Sequence, residues 1–379
     1  MDKIKICSLN GQGLGDPSKR RDVLNYLRSN KYSIICLQDT HFTKSIENII
    51  TNEWGYKAFF SSFDSRSRGV AIFFQNTFEF TIHNILKDQS GNFLIIDIEI
   101  EKRRITLANI YGPNKDDPNF YEKLENSIIT QGNNDIIIVG DWNLLLNPNI
   151  DGINYKHINN PNARQKVLKL MNDLNLYDVW RDENKDTRTY SWKRKIQSGL
   201  VQMGRLDFFL VSESLINFSC DEKISPGYRS DHSLISLSLQ FSETPRAKTF
   251  WKFNSSLLEQ PNFAKEIKNT ISNVKKQYAA SPYNVEKIDE IDNDSFQTSI
   301  NPQLFFDVLL LEIRSKTIAF SSALKKQEIK TAAELQSQIS ELERCDPAEN
   351  YELIKSKQDE LRTLREKKLK GTLIRSRAR

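Results

Sequence analysis

From Ile4 to about Gln240 the apolar residues come in short runs: IKICSLN, SIICLQ, GVAIFF, NFLIIDIEI, RITLANIY, DIIIVGDWN, LDFFLV and HSLISLSL. Rich in Ile, Val and Phe and roughly 5 to 9 residues long, they predict buried or half-buried strands. Polar or Gly/Pro-containing loops separate them. Two stretches change period: residues 18 to 30 and 162 to 176 carry helical spacing, with Val167, Leu168, Leu170, Met171 and Leu174 falling largely on one face. Strands interleaved with helices predict a layered α/β domain over residues 1 to 240.

Beyond that point the pattern switches. A polar linker over 241 to 256, beginning FSETPRAKTF, leads through WKFNSSLL into a segment from 257 to 379 that reads as helical throughout, apart from the Asn/Asp/Ser-rich stretch 281 to 301. LFFDVLLLEIRSKTIAF is a helix candidate. Leu335, Ile339 and Leu342 repeat at four and three before Pro347 stops the run, and Leu353, Ile354, Leu361 and Leu364 resume it. Two amphipathic helices around DPAEN predict a helical hairpin or a short coiled coil. The basic end REKKLKGTLIRSRAR stops without a closing element and reads as a cut in a longer protein.

With 379 residues, 38% hydrophobic and 27% charged, the chain has the composition of a soluble globular protein with room for one large domain and a second element. A formal charge of +5 permits a polyanionic partner without requiring one. Cys7 and Cys36 lie inside strand-like runs and Cys220 and Cys345 stand apart, so the cysteines read as small hydrophobes in a reducing compartment. The absence of any CxxC spacing argues against a zinc ribbon. The start lacks the apolar stretch of a signal peptide, and no run approaches the roughly 18 apolar residues of a membrane span. The expected location is intracellular, in cytoplasm and nucleus.

The chemistry gathers at strand ends. Asn10 closes the first strand, Asp39 follows IICLQ, Tyr111 ends RITLANIY, and Asp141 and Asn143 end the run IIIVGDWN. Asp207 and the pair Asp231 and His232 stand near the starts of two others. A carboxylate and an amide two residues apart can orient a water, one taking its proton and the other fixing its position. A histidine oriented by a second carboxylate stays protonated and polarises a phosphoryl oxygen. Each position has an ordinary alternative, since Asp and Asn are common at strand-to-turn junctions. The glycines at 11, 13 and 15 do not form a nucleotide loop, because Asp16 stands where the third glycine would be needed. Several acids and amides with one His and no thiolate favour a hard cation such as Mg²⁺ over zinc.

In this order and across about 240 residues, SLNGQGL, LQDTH, NIYGP, GDWN, GRLDFFLV and RSDH resemble the motifs of the endonuclease/exonuclease/phosphatase superfamily, which includes deoxyribonuclease I and the apurinic endonucleases. The resemblance implies a four-layered α/β sandwich of two packed, mostly antiparallel sheets flanked by helices, with the site at one end. It implies that Asn10, Asp39 and Asp231 belong to a Mg²⁺ site that also accepts Mn²⁺. Asp141 would activate water with Asn143 positioning it, Tyr111 and His232 would contact the scissile phosphate, and Asp207 would orient His232. At LQDTH the family pattern has Glu where this chain has Asp39.

WKFNSSLL, the long helical segment and KGTLIRSRAR resemble the region between endonuclease and reverse transcriptase in polyproteins of non-LTR, LINE-type retrotransposons. That resemblance implies a Mg²⁺-dependent endonuclease that nicks one strand of double-stranded DNA and leaves a 3′-hydroxyl to prime reverse transcription, in a polyprotein whose helical tail is either a contact for element RNA or a scaffold. Arg66, Arg68, Arg188, Tyr190, Trp192, Lys193, Arg194 and Lys195 are the candidate DNA contacts. The competing expectations are a phosphoesterase of the same fold acting on a phospholipid or inositol phosphate, and an inactive nucleic-acid-binding remnant.

Overall fold

The apolar runs of the first 240 residues build two six-stranded sheets. The first has the order β14 (Ser219–Ser225), β15 (Leu234–Leu239), β1 (Ile4–Asn10), β2 (Ile34–Gln38), β4 (Val70–Phe74), β3 (Ala58–Ser61). The second runs β10 (Leu176–Asp178), β13 (Asp207–Ser212), β8 (Ile136–Asp141), β7 (Arg103–Tyr111), β6 (Phe93–Ile100), β5 (Thr81–Lys87). A small third sheet joins β11 (Trp192–Lys195), β12 (Val201–Gly204) and β9 (Gly152–Ile153). Neighbours are antiparallel except β1 with β2 and β7 with β8. The computed structural model describes residues 3–155, 157–195, 199–241, 253, 255–280, 297–345 and 350–377. Most of the expected linker, residues 281–296 of the Asn/Asp/Ser-rich stretch, most of DPAEN and the last two residues lie outside them.

Strand alternation divides the core into two layers. Ile4 and Ile6, Ile34 and Cys36, and Ile72 and Phe74 face Ile96 and Ile98, Leu107, Ile137 and Val139, and Phe209 and Val211 between the sheets. The opposite parity of the second sheet, with Ile95, Ala108, Ile110, Ile138, Phe208 and Leu210, packs on Tyr121, Leu124 and Ile128 of the helix Pro118–Ile129 and on Val167 and Leu170 of the helix Pro161–Asp173. Beyond the first sheet, the helix Pro17–Ser29 buries Val23, Leu24 and Leu27, and Trp54 of the helix Glu47–Trp54 donates its indole N–H to Phe74 O at 2.7 Å. Strands with apolar residues on both faces therefore read as continuous hydrophobic runs.

Two buried polar groups tie the sheets together. Gln38 Nε2 donates to Asn109 Oδ1 at 2.6 Å, and Asn109 Nδ2 reaches the carbonyls of Leu37 and Ala71. Such groups remain inside a core only when bonded. Arg205, fully buried between β12 and β13, donates to Asp151 at 2.8 Å and to Asp178 at 2.5 Å, and Arg181 also reaches Asp151.

Packing divides the chain into two units: Met1–Arg246 with Gln336–Arg365, and Ala247–Leu335 with Glu366–Arg379. The described residues of the second are mostly helical, and Phe263 and Ile267 of the helix Pro261–Gln277 pack with Ile313, Phe320 and Leu324. The apolar segments on either side of DPAEN belong to the helices Pro302–Cys345 and Tyr351–Arg377, the first of which continues unbroken from LFFDVLLL. Among the described residues, no helix is long and apolar enough to cross a membrane.

Candidate active site

At one end of the sandwich the face between the sheets changes from apolar to polar without changing its parity. On β8, Asp141 follows Ile137 and Val139; on β13, Asp207 precedes Phe209 and Val211; on β7, Tyr111 follows Ile105, Leu107 and Asn109. On the opposite sheet Asn10 follows Ile4, Ile6 and Ser8. Side chains that would otherwise extend the core converge there as a buried polar cluster. Asn10 Nδ2 donates to Asp141 Oδ2 at 2.9 Å, joining the two sheets, and Asp141 and Asp207 are direct cross-strand neighbours.

His232 sits between these carboxylates. Its Nδ1 lies 2.8 Å from Asp207 Oδ2, and its Nε2 lies 3.8 Å from Asp141 Oδ2. Burial works against a charged ring, but Asp207 and Asp141 outweigh it and push His232 up to about 10. Burial, reinforced by Asp207, pushes Asp141 up to about 7, while His232, Asn10 and the Asn143 N–H work in the other direction. Near neutral pH the pair therefore holds a protonated imidazole beside a carboxyl close to its titration point. Burial first, then the charges of Asp39 and Asp141, raise Tyr111 as well, so it remains a phenol that can donate.

The local backbone explains several positions. At Gly140 an added Cβ would lie 2.0 Å from Ile110 O, so only glycine lets β7 and β8 approach ahead of Asp141. The strand ends at Asp141, earlier than the run IIIVGDWN suggests, and Asn143 stands in a left-handed turn with φ 52°. Its N–H donates to Asp141 Oδ1 at 3.0 Å and its side chain to Gly112 O at 2.7 Å, so Asn143 braces Asp141 from below the strand end. Asp39 also has positive φ, and its Oδ1 accepts the Arg68 N–H at 3.0 Å and faces His41 Nε2 at 3.1 Å. Asp231 is exposed and accepts the Trp192 indole N–H at 3.2 Å.

A cleft of about 650 Å³ brings together Asn10, Asp39, Tyr111, Asp141, Asn143, Asp231 and His232. Asp207 lies behind His232. Of the expected DNA contacts, Trp192 and Arg194 line this cleft. Lys193 is paired with Glu343 at 2.6 Å, Lys195 lies over the Tyr351 ring, and Tyr190 is a buried core residue beside Val201 and Met203. Arg66, Arg68 and Arg188 are exposed, with Arg68 stacked over Phe63. Motif reading passed over Ser191. It is fully buried, donates to Asp207 Oδ2 at 2.6 Å and accepts the N–H groups of Leu206 and Asp207. A serine in a polar loop gives no signal of such a role until the loop is folded.

Asp141, Asp207 and His232 bring ligand atoms within 4.8 Å of one another, close enough to hold a cation. Asp207 Oδ1 is buried without a hydrogen-bond partner among the described residues. With Asn10, Asp39 and Asp231 in the same cleft, and His232 held as an imidazolium without a free lone pair, the donors available near neutral pH are carboxylate and amide oxygens, a set suited to a hard divalent ion. A cation would also offset the burial and the Asp207 charge that raise Asp141.

Residues 6–232 match the sequence profile of the Endonuclease/Exonuclease/phosphatase family. The chain is 28% identical over 271 residues, 70% of its length, to the transposon TX1 uncharacterized 149 kDa protein of Xenopus laevis. It spans only 20% of that relative. Among solved structures it resembles the AP endonuclease LMAP from Leishmania major, with TM-score 0.54, 18% identity, and 63% of this chain and 88% of the other covered. It also resembles the catalytic domain of APE2 from Xenopus laevis, with TM-score 0.52, 20% identity, and 64% and 94% covered. At such identities the likeness is one of fold.

Proposed function

The chain belongs to the endonuclease/exonuclease/phosphatase family, and from that premise we propose that it is a Mg²⁺-dependent DNA endonuclease. It nicks one strand of a duplex and leaves a 3′-hydroxyl that primes reverse transcription within a larger transposon protein. The observation that carries this reading is the Asn10, Asp141, His232 and Asp207 constellation: a base near its titration point beside a charge-stabilising imidazolium. The likeness to a transposon protein supports the priming role.

In this mechanism Asp141 takes a proton from the water that attacks phosphorus, as Asn143 holds the carboxylate in place. The P–O3′ bond breaks in line, and the leaving O3′ takes a proton from solvent water, so that the products are a 3′-hydroxyl and a 5′-phosphate. His232, kept protonated by Asp207, faces the charge that develops on the phosphoryl oxygens, and the Tyr111 phenol donates to the same group. Asn10, Asp39 and Asp231 would hold Mg²⁺, or Mn²⁺, which supplies further stabilisation of that charge when bound. No covalent intermediate is required. The 13 residues 367–379 include several basic ones, and element RNA is the proposed partner of that end, with the reverse transcriptase of the same polyprotein beyond it.

The test is relaxation of supercoiled plasmid with Mg²⁺ and with EDTA, using the full chain and its Asp141→Asn and His232→Ala variants. Nicked circles that require the metal and disappear in both variants are expected. Intact plasmid together with inorganic phosphate released from a phospholipid headgroup would assign the site to a different substrate. Intact plasmid with retained DNA binding and no phosphate release would make the chain an inactive binding element.

A further inference from the structure

Strand β11 has two faces, and only one belongs to the cleft. Trp192 and Arg194 line it beside Asp231 and His232, whereas the intervening Lys193 and Lys195 meet groups from the segment 336–365 of the same unit. Lys193 Nζ stands 2.6 Å from the Glu343 carboxylate, and each side chain is only 17% exposed. The Lys195 ammonium lies 5.3 Å from the centre of the Tyr351 ring. Tyr351 in turn packs on the cluster of Tyr190, Val201 and Met203 that underlies β11 and β12.

A further contact reaches the other arm of the site. Arg365 donates to the carbonyls of Pro226 at 2.7 Å and Gly227 at 3.2 Å, and its guanidinium lies 5.2 Å from the centre of the Tyr26 ring. That loop leads into Ser230, Asp231 and His232, and at Gly227 a Cβ would fall 1.9 Å from His232 O. The segment therefore holds both chain stretches that bring Trp192, Asp231 and His232 together, while none of these contacts uses an atom of the Asp141, His232 and Asp207 cluster.

β11 is the edge strand of a three-stranded sheet, and beyond β12 its backbone pairing includes an isolated bridge between Trp192 and His232. β11 is paired along one edge by β12 and on the other only by that bridge, so what packs behind it contributes to where it lies. A half-buried ion pair is also harder to leave unpaired than an exposed one, so the separation of Lys193 and Glu343 constrains where β11 lies. We infer that segment 336–365 is a positioning element for β11: held from behind by Glu343 and Tyr351, the strand sets where Trp192 and Arg194 meet the duplex and so which phosphodiester is cut. This rests on the endonuclease reading above.

The experiment compares the full chain with Glu343→Lys, Lys193→Glu and the double charge swap. Hydrogen–deuterium exchange is followed over residues 187 to 204, and nick positions and kinetics are mapped on an end-labelled duplex. Each single variant is expected to speed exchange over 187 to 204 by tenfold or more and to redistribute the nicks. Glu343→Lys is expected to raise KM for duplex at least fivefold with kcat within twofold, and the swap to restore exchange and nick pattern together. Unchanged exchange, or faster exchange with the wild-type nick pattern and KM, or a swap that restores neither, overturns the inference. A wild-type chain that leaves the duplex uncut overturns the endonuclease reading alone, since the exchange data still decide whether Glu343 holds β11.

Discussion

Asn10 and Asp141 belong to different sheets, and a single 2.9 Å hydrogen bond from the amide of one to the carboxylate of the other closes the rim between them. That bond favours the ionised carboxylate against the burial that raises it. Asn10→Ala is expected to lower nicking by about 10²- to 10³-fold and to move the acid limb of the pH–rate profile to higher pH. An unmoved limb with wild-type rate would show that Asn10 does not tune Asp141.

In the proposed reaction Asp207 acts through His232. Replacing it with Asn keeps the shape but removes the charge that offsets burial of the imidazolium. Asp207→Asn is expected to cost about 10²- to 10⁴-fold in rate, with the alkaline limb of the profile falling towards neutral pH. A drop in rate with the limb in its wild-type position would assign Asp207 a purely structural role.

The same pairing makes stability depend on pH. His232 is raised from 6.5 to about 10 in the folded state, so the folded chain holds a proton that the unfolded chain releases first. The stabilisation from this pairing is complete below pH 6.5 and is lost as pH rises through about 10. Melting temperatures recorded in EDTA should fall over that window in the wild type and fall less in His232→Gln. Parallel curves would exclude His232 as the titrating group.

Asp39 presents a shorter arm to the cleft than Glu would, by about 1.5 Å, and its Oδ1 is already engaged by the Arg68 N–H and His41. Mg²⁺ tolerates a poorly placed ligand by retaining waters. Asp39→Glu is expected to lower the Mg²⁺ concentration for half-maximal nicking, and a direct binding titration should shift in the same sense. A requirement as high as the wild type's, or higher, would remove reach as the explanation.

Arg205 meets two buried carboxylates just ahead of Asp207. Arg205→Met leaves Asp151 and Asp178 without their shared cation, and a loss of about 3 to 5 kcal/mol in urea unfolding is expected. A loss under about 1 kcal/mol would mean that Arg181 alone suffices for Asp151.

The architecture was legible where burial is symmetrical. β8 is apolar on both faces as far as Val139, and β6 on one face and the first half of the other, and both stand out as runs, as does the heptad-like spacing of Leu335 and Ile339, both buried. By contrast β5, reading TIHNILK with no fully buried residue, and β14, reading SCDEKIS, lie at sheet edges and owe their conformation to a partner's ladder. The candidate cleft was legible as polar residues that end apolar runs, because the core face itself delivers them. Ser191 and Arg205 were not, since their roles arise from contacts made across the fold. Alternation along WKRK does separate Arg194 from Lys193 and Lys195, but which parity faces the cleft depends on packing that no local pattern contains.

β1 lies between β2 and β15, so the first strand of the domain is flanked by its last. Asn10, Asp39 and His232 come with that sheet, while Tyr111, Asp141 and Asp207 come with the other. Neither half alone assembles the reacting groups. A chain shorter than about residue 239 therefore lacks the strand that seats His232, so competence for the proposed reaction arrives only when the whole sandwich closes. Truncation inside the domain is therefore expected to abolish the proposed reaction outright rather than to weaken it.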